Sequence, residues 1–228
     1  MKIIQNLVPT SKISVKCPYA MEAEFIVVHN TANNASARQE IAYMISNSKQ
    51  VSFHYAIDNT DIVQGILESR NAWHAGDGKN GNGNRCGIAI EICYSKGGGK
   101  RFEDAEKLAA KFIAYKLKEK GWGIERVKKH QDFSNKYCPH RTLDMGWQRF
   151  LKMVQAELDG TAEAVESIYY PAFTSASIVS GLKSINVDSS FSYRRKIAKA
   201  NGIILYAGTS SQNVKLLNLA KQGKLKKA

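Results

Sequence analysis

No run in this sequence approaches the roughly 18–20 consecutive apolar residues that a bilayer-spanning helix needs, so a transmembrane segment is excluded. The opening residues, Met1-Lys2-Ile3-Ile4-Gln5-Asn6, carry no apolar core of signal-peptide length, and no Sec export is expected. Cysteine is sparse: Cys17, Cys86, Cys93 and Cys138 in 228 residues are too few for a disulfide framework, and reduced thiols are expected. Negative charge is also in short supply, with 20 acidic against 33 basic residues and a net charge of +13. That balance suits an anionic partner such as nucleic acid, a membrane surface or an acidic wall polymer. What the chain does have is ordinary apolar content, 43% hydrophobic with 23% charged, which excludes disorder as its main state. Its length allows one large domain or two modest ones.

The charge is uneven. Residues 1–160 hold 23 basic against 17 acidic side chains, whereas residues 161–228 hold 10 against 3. Phe25-Ile26-Val27-Val28-His29 reads as a buried strand ending at His29. Residues 37–48 place Ile41, Met44 and Ile45 on one helical face. Val51 to Asp58 alternates like a strand and turns at Asn59-Thr60-Asp61, so Ile62 to Ile66 is expected to pair back as a hairpin. Residues 76–84 read as a plain surface loop, because a phosphate cradle would need a following Lys-Ser/Thr and helix. In Gly87 to Cys93, Ile88, Ile90 and Ile92 share one face, and Glu91 lies among small residues on the other. A carboxylate so placed is not ordinary core. Helices are expected at 102–119, with Glu103 and Asp104 in its first turn, and at 146–158. The periodicity stops around Asp159-Gly160-Thr161, which puts a boundary there. Beyond it, strands are expected at 169–173 and 203–206, and helices at 175–185, 190–200 and 210–222. A unit of about 60 residues buries only ~60% of its surface, and self-association is one way to gain core.

Zinc hydrolases use three protein ligands, leave a fourth position for water, and need a base for that water's proton. Five histidines are available: His29, His54, His74, His130 and His140. His29 stands at a strand end, where α/β sites form. His130 opens a loop in which Cys138 follows eight residues later and His140 two after that. This spacing alone fits a metal loop and an ordinary loop equally.

Six motifs then occur in order: Val28-His29-Asn30-Thr31, Phe53-His54-Tyr55, Asn71-Ala72-Trp73-His74-Ala75-Gly76, Gly87-Ile88-Ala89-Ile90-Glu91-Ile92, His130-Gln131-Asp132, and Lys136-Tyr137-Cys138-Pro139. Over residues 1–158 the chain resembles the zinc-dependent N-acetylmuramoyl-L-alanine amidases of the amidase-2 type, relatives of the peptidoglycan recognition proteins. The likeness extends to phage and prophage endolysins of Bacillus and Clostridium. The resemblance implies an α/β fold with a central mixed β-sheet flanked by helices, and zinc at one edge of a peptide-binding groove. It implies His29, His130 and Cys138 as zinc ligands, Glu91 as general base and Lys136 beside the scissile carbonyl. Trp73 and His74 are expected to line the groove, His54 to pack, and His140 to be a backup ligand only. One branch of the family has a catalytic tyrosine where this chain has Phe53, and that role would pass to Glu91. Cys17, Cys86 and Cys93 read as small buried residues.

The tail resembles, less specifically, the wall-binding domains of clostridial phage lysins, through Ile178 to Ile185, Arg195 to Gly202 and Leu216 to Leu225. The expected organisation is a zinc amidase domain over 1–158, a linker over 159–167 and a small α+β wall-binding domain over 168–228. The expected partners are peptidoglycan and the anionic wall polymer of a Gram-positive host, with a homodimer through the tail and no nucleic acid or membrane. The expected location is the host cytoplasm until lysis, then the wall. A non-catalytic peptidoglycan receptor on the same fold is the alternative, and an intact Cys138 and Glu91 argue against it. A nucleic-acid binder is suggested by charge alone, without a helix-turn-helix or paired-Cys finger.

Overall fold

The computed structural model describes residues 1–161 and 168–228, which divide into two compact units: Met1–Gly97 with Asp104–Ala164, and Gly98–Glu103 with Val165–Ala228. The expected linker over 159–167 falls mostly on 162–167, outside the described residues.

Through the first unit run β1 (Ile4–Gln5), α1 (Ile13–Lys16), β2 (Phe25–Asn30), α2 (Ala37–Ser46), β3 (Tyr55–Ile57), β4 (Ile62–Gln64), α3 (Asn82–Cys86) and β5 (Gly87–Ile92). α4 (Gly99–Lys120), which belongs to this unit from Asp104 on, β6 (Val127–Lys129), α5 (His140–Asp144) and α6 (Trp147–Asp159) follow. The six strands form one mixed sheet in the order β1-β4-β3-β5-β2-β6, antiparallel only between β3 and β4. The expected mixed sheet flanked by helices is therefore present, and so is the hairpin. β2 is buried along its whole length, as a parallel strand covered on both faces must be. α2 packs on β3 and β4 and buries Ile41 and Met44 of the expected stripe, and Ala105, Ala109, Phe112 and Ile113 of α4 are buried as well. α2 starts on a capping box in which Ser36 and Gln39 satisfy each other's backbone N–H groups.

Three expectations in this unit need correction. The strand expected over Val51–Asp58 forms only at Tyr55–Ile57. Its first half bonds elsewhere, Ser52 N–H to the Trp73 carbonyl and the Ser52 hydroxyl to the Lys16 carbonyl. α4 begins at Gly99, so Glu103 and Asp104 lie beyond its first turn. Residues 76–84 are not a plain surface loop. Asp77 accepts from the Gly83 and Asn84 N–H groups at 2.7 and 3.3 Å, standing in for the N-cap that Gly81 lacks, and α3 forms behind it.

In the second unit, α7 (Ile178–Ser184), α8 (Phe191–Ala200) and α9 (Ser210–Lys221) start on Ser177, Ser190 and Thr209, each accepting from a backbone N–H three residues on. Leu182, Ile197, Leu216 and Leu225 centre their core. The expected helices are present, but the unit is helical rather than α+β. Its described residues hold one isolated bridge, Tyr169 with Lys226, in place of the strand expected at 169–173, where Pro171 lacks a donor. Nor is 203–206 a strand. Gly202 takes φ +77°, Ile203 N–H returns to the Ala198 carbonyl, and the run becomes the turn that closes α8. Ile203 and Tyr206 point inward while Ile204 and Leu205 are 81% and 87% exposed. No helix among the described residues is long and apolar enough to cross a membrane.

Candidate metal and acid–base centre

Three adjacent parallel strands end on the same side of the sheet and carry the site. In the β2–β5 register His29 is the direct partner of Glu91, so both side chains leave the same face. Lys129 of β6 pairs with Val28, which delivers His130, the next residue, beside His29. Cys138 is eight residues further on, and two sets of bonds bring it back. Gln131 N–H donates to the Cys138 carbonyl at 3.0 Å. At the end of β2, Asn30 Oδ1 accepts from the Arg141 and Thr142 N–H groups at 3.0 and 3.1 Å, capping α5 from outside because Pro139 offers no side-chain cap.

The result is a buried cluster. His29 Nδ1 lies 3.0 Å from His130 Nδ1 and 3.9 Å from Cys138 Sγ, and the three donor atoms fall within 4.8 Å of one another. Zinc–nitrogen and zinc–sulfur bonds near 2.0–2.3 Å set tetrahedral donor atoms about 3.3–3.6 Å apart, and the cluster brackets that span. Burial, reinforced by the neighbouring His74 and His130 and by Lys136, holds His29 well below the ordinary histidine range. Burial likewise brings His130 down to about 4. Both rings are therefore neutral at pH 7, the form that binds metal. Burial, with the Glu91 carboxylate adding, pushes the Cys138 thiol up to about 12, while the Asn30 N–H and Lys136 pull it back. Two neutral imidazoles and a buried thiol are a donor set that fits zinc.

Glu91 is pushed up to about 8, by burial first and by the Glu40 carboxylate second, against Lys136. Its Oε2 is buried without a hydrogen-bond partner. It opens on a groove of about 780 Å³ shared with Thr31, Glu40, Tyr43, Val51 and Phe53. A second cavity of about 530 Å³ is lined by Trp73, His74, His130, Ser134 and Lys136. Lys136 is exposed there, and its charge reaches His29, His130 and Glu91. A basic carboxylate facing one cavity and a free ammonium facing the other, with the three donors near both, can move a proton and stabilise an oxyanion.

The remaining candidates take other places. His54 is fully buried, accepting from Ala89 N–H at Nδ1 and donating to the Arg70 carbonyl at Nε2, a packing role. His140 opens α5 and is absent from the donor cluster. Cys17, Cys86 and Cys93 join no second ligand group among the described residues. His74 does more than line a cavity, since its Nδ1 is 3.0 Å from His29 Nε2. Sequence reasoning missed Asn30, Glu40 and Asn84. Asn30 was in view within Val28-His29-Asn30-Thr31, whereas Asn84 gave no signal inside a Gly/Asn-rich stretch.

Among known proteins, the N-acetylmuramoyl-L-alanine amidase family matches residues 19–141. CwlA of Bacillus subtilis strain 168, an N-acetylmuramoyl-L-alanine amidase, is 57% identical over 159 residues, covering 69% of this chain and 58% of that protein. XlyB of the same strain, another N-acetylmuramoyl-L-alanine amidase, is 55% identical over 161 residues, 70% of this chain and 51% of that protein. The solved structure of PlyL superposes with a TM-score of 0.66 at 48% identity, covering 68% of this chain and 97% of that one. The chain thus spans between half and three-fifths of the length of these two curated relatives.

Proposed function

The chain belongs to the N-acetylmuramoyl-L-alanine amidase family, and from that premise we propose that it is a peptidoglycan hydrolase of the endolysin type. It cuts the amide between the lactyl group of N-acetylmuramic acid and the L-alanine of the stem peptide. The observation that carries this is the convergence of His29, His130 and Cys138 at the strand ends, with Glu91 as the register partner of His29. Zinc held by those three residues would supply an electrophile for the scissile carbonyl and acidify a water molecule. Glu91 takes the proton from the attacking water and returns it to the leaving amine of L-alanine, for which a carboxylate that holds protons near pH 7 is suited. The Lys136 ammonium stabilises the oxyanion of the tetrahedral intermediate. The groove beside Glu91 accepts the peptide, and Trp73 and His74 face the substrate from the second cavity.

The second unit carries no acid–base or metal constellation among its described residues, and residues 161–228 hold 10 basic against 3 acidic side chains. It serves as the wall-binding module, drawn to the anionic polymer of a Gram-positive host, and pairs with a second copy. Mass spectrometry of the fragments released from purified cell walls tests the reaction. New L-alanine amino termini and intact muramic acid lactyl carboxyls are expected, and new reducing sugars or other peptide termini would overturn it.

A further inference from the structure

We propose that His74 is a positioning residue of the metal centre, fixing which nitrogen of His29 faces the ion, and that Asn84 holds it in place. This rests on the zinc reading above and adds an outer shell to it. His29 presents Nδ1 to His130 and Cys138, and its Nε2 lies 3.0 Å from His74 Nδ1. A neutral imidazole has one proton and one lone pair. For Nδ1 to offer its lone pair to a metal, the proton must sit on Nε2 and needs an acceptor there. His74 Nδ1 is that acceptor once its own proton is on Nε2, which is buried and makes no hydrogen bond that would compete for the ring. The two rings meet edge to face, centroids 5.0 Å apart at 87°, which aims the N–H of one at the lone pair of the other.

The next residue repeats the service. The Ala75 carbonyl acts on the His130 ring in the sense of an acceptor, favouring its N–H. One short stretch, 74–75, therefore supplies partners to both histidine ligands, and a single buried amide fixes its backbone. Asn84 Oδ1 accepts from His74 N–H and Ala75 N–H, each at 2.8 Å, while Asn84 Nδ2 donates to the Gly78 carbonyl at 3.0 Å. Glycine is required in this cradle. A Cβ on Gly83 would sit 2.4 Å from the Ala75 Cβ and push on the residue that serves His130. Outer partners of this kind orient metal-binding histidines, and their loss costs roughly 10–100-fold in metal affinity.

The test is zinc affinity of the full chain, read by competition with a chromogenic chelator, in wild type, His74→Ala, His74→Asn and Asn84→Ala. His74→Ala should weaken zinc about 10–100-fold. His74→Asn puts an amide oxygen where Nδ1 was and should recover most of the loss. Asn84→Ala should fall between them, and the metal-free melting temperatures of the two His74 variants should agree. Wild-type affinity in His74→Ala overturns the proposal, and so does equal loss in His74→Ala and His74→Asn. Should His74→Ala not fold, nitrogen-15 NMR of the metal-free wild type decides: His29 protonated on Nε2 is expected, and protonation on Nδ1 overturns it. A wild-type chain that takes up no zinc would instead sink the metal reading and this proposal with it.

Discussion

Residue by residue, the site follows from what each group needs in order to be buried. Cys138 sits in a pocket that disfavours its thiolate, with His29 and His130 beside it, so a cation is the natural complement. Cys138→Ser should lose zinc and lytic activity together, measured by metal analysis and turbidity loss of wall suspensions. Full metal content in that variant would shift the ligand role elsewhere, His140 being the next candidate. Glu91 makes a different prediction. Its Oε2 has no structural bond to lose, so Glu91→Ala should keep fold and zinc while the rate falls ~10²–10⁴-fold. Comparable turnover would mean the proton moves by another group. His54 tests burial alone. Desolvation lowers it to about 4, although the Arg70 carbonyl and Glu68 favour its charged form. The unfolded chain then binds a proton near pH 6.5 that the fold refuses until about pH 4. Stability is complete above that window and declines as pH falls through it, by on the order of 3 kcal/mol from this one group. His29 and His74 decline in the same direction. Histidine NMR with denaturant melts from pH 7 downward would show His54 still neutral at pH 5.5 and gaining its proton only near pH 4, and a His54 midpoint near 6.5 would refute the assignment. The candidate metal and acid–base residues were legible because their types and motif spacing stand out in the chain. The buried amides of Asn30 and Asn84 were not, because an asparagine's value depends on which orphan N–H groups the fold brings to it.

At the scale of elements, alternation in Gly87–Ile92 was enough to single out Glu91, because period-2 burial leaves a lone carboxylate conspicuous. The pairing of β5 with β2 supplied what one strand cannot, the contact with His29. The loop 76–84 misled because Gly and Asn composition says how a backbone can bend and not what holds it, which here is Asp77. Two lysines were overlooked for a related reason. Lys16 is completely buried, with Nζ donating to Asn47 Oδ1 and to the Lys49 and Val51 carbonyls. Lys12 Nζ donates to the Ile45 and Ser46 carbonyls, both at 2.6 Å, where α2 ends and its dipole is negative. Together they tie down residues 45–51, from which Val51 reaches both cavities. Lys12→Ala should therefore cost about 1 kcal/mol and speed amide exchange across 47–52 more than elsewhere. Uniform protection in the variant, by hydrogen-exchange mass spectrometry, would show that α2 holds its own end.

For the whole molecule, the question is whether two compact units divide two tasks. The first holds the donor cluster, Glu91 and both cavities beside them. The second has its own apolar core, around Leu182, Ile197, Leu216 and Leu225, and a strongly basic composition. Periodicity disclosed its helices, but the apolar run 203–206 looked like a strand because sequence cannot tell a buried strand from a turn with two residues in and two out. The two that point out, Ile204 and Leu205, are exposed apolar surface that a lone unit would rather cover. If the unit targets the wall through charge, binding of residues 161–228, fused to a fluorescent protein, should fall steeply as salt shortens the Debye length from about 10 Å at 0.1 M toward 3 Å at 1 M. Residues 1–160 should still cleave soluble fragments yet clear whole walls poorly. Undiminished lysis by 1–160, with no decoration of walls by 161–228, would remove the targeting role. Self-association stands or falls separately. Light scattering of the full chain should give a dimer, and Ile204→Lys with Leu205→Lys should return it to a monomer; a monomer at the outset would refute the pairing while leaving wall binding intact.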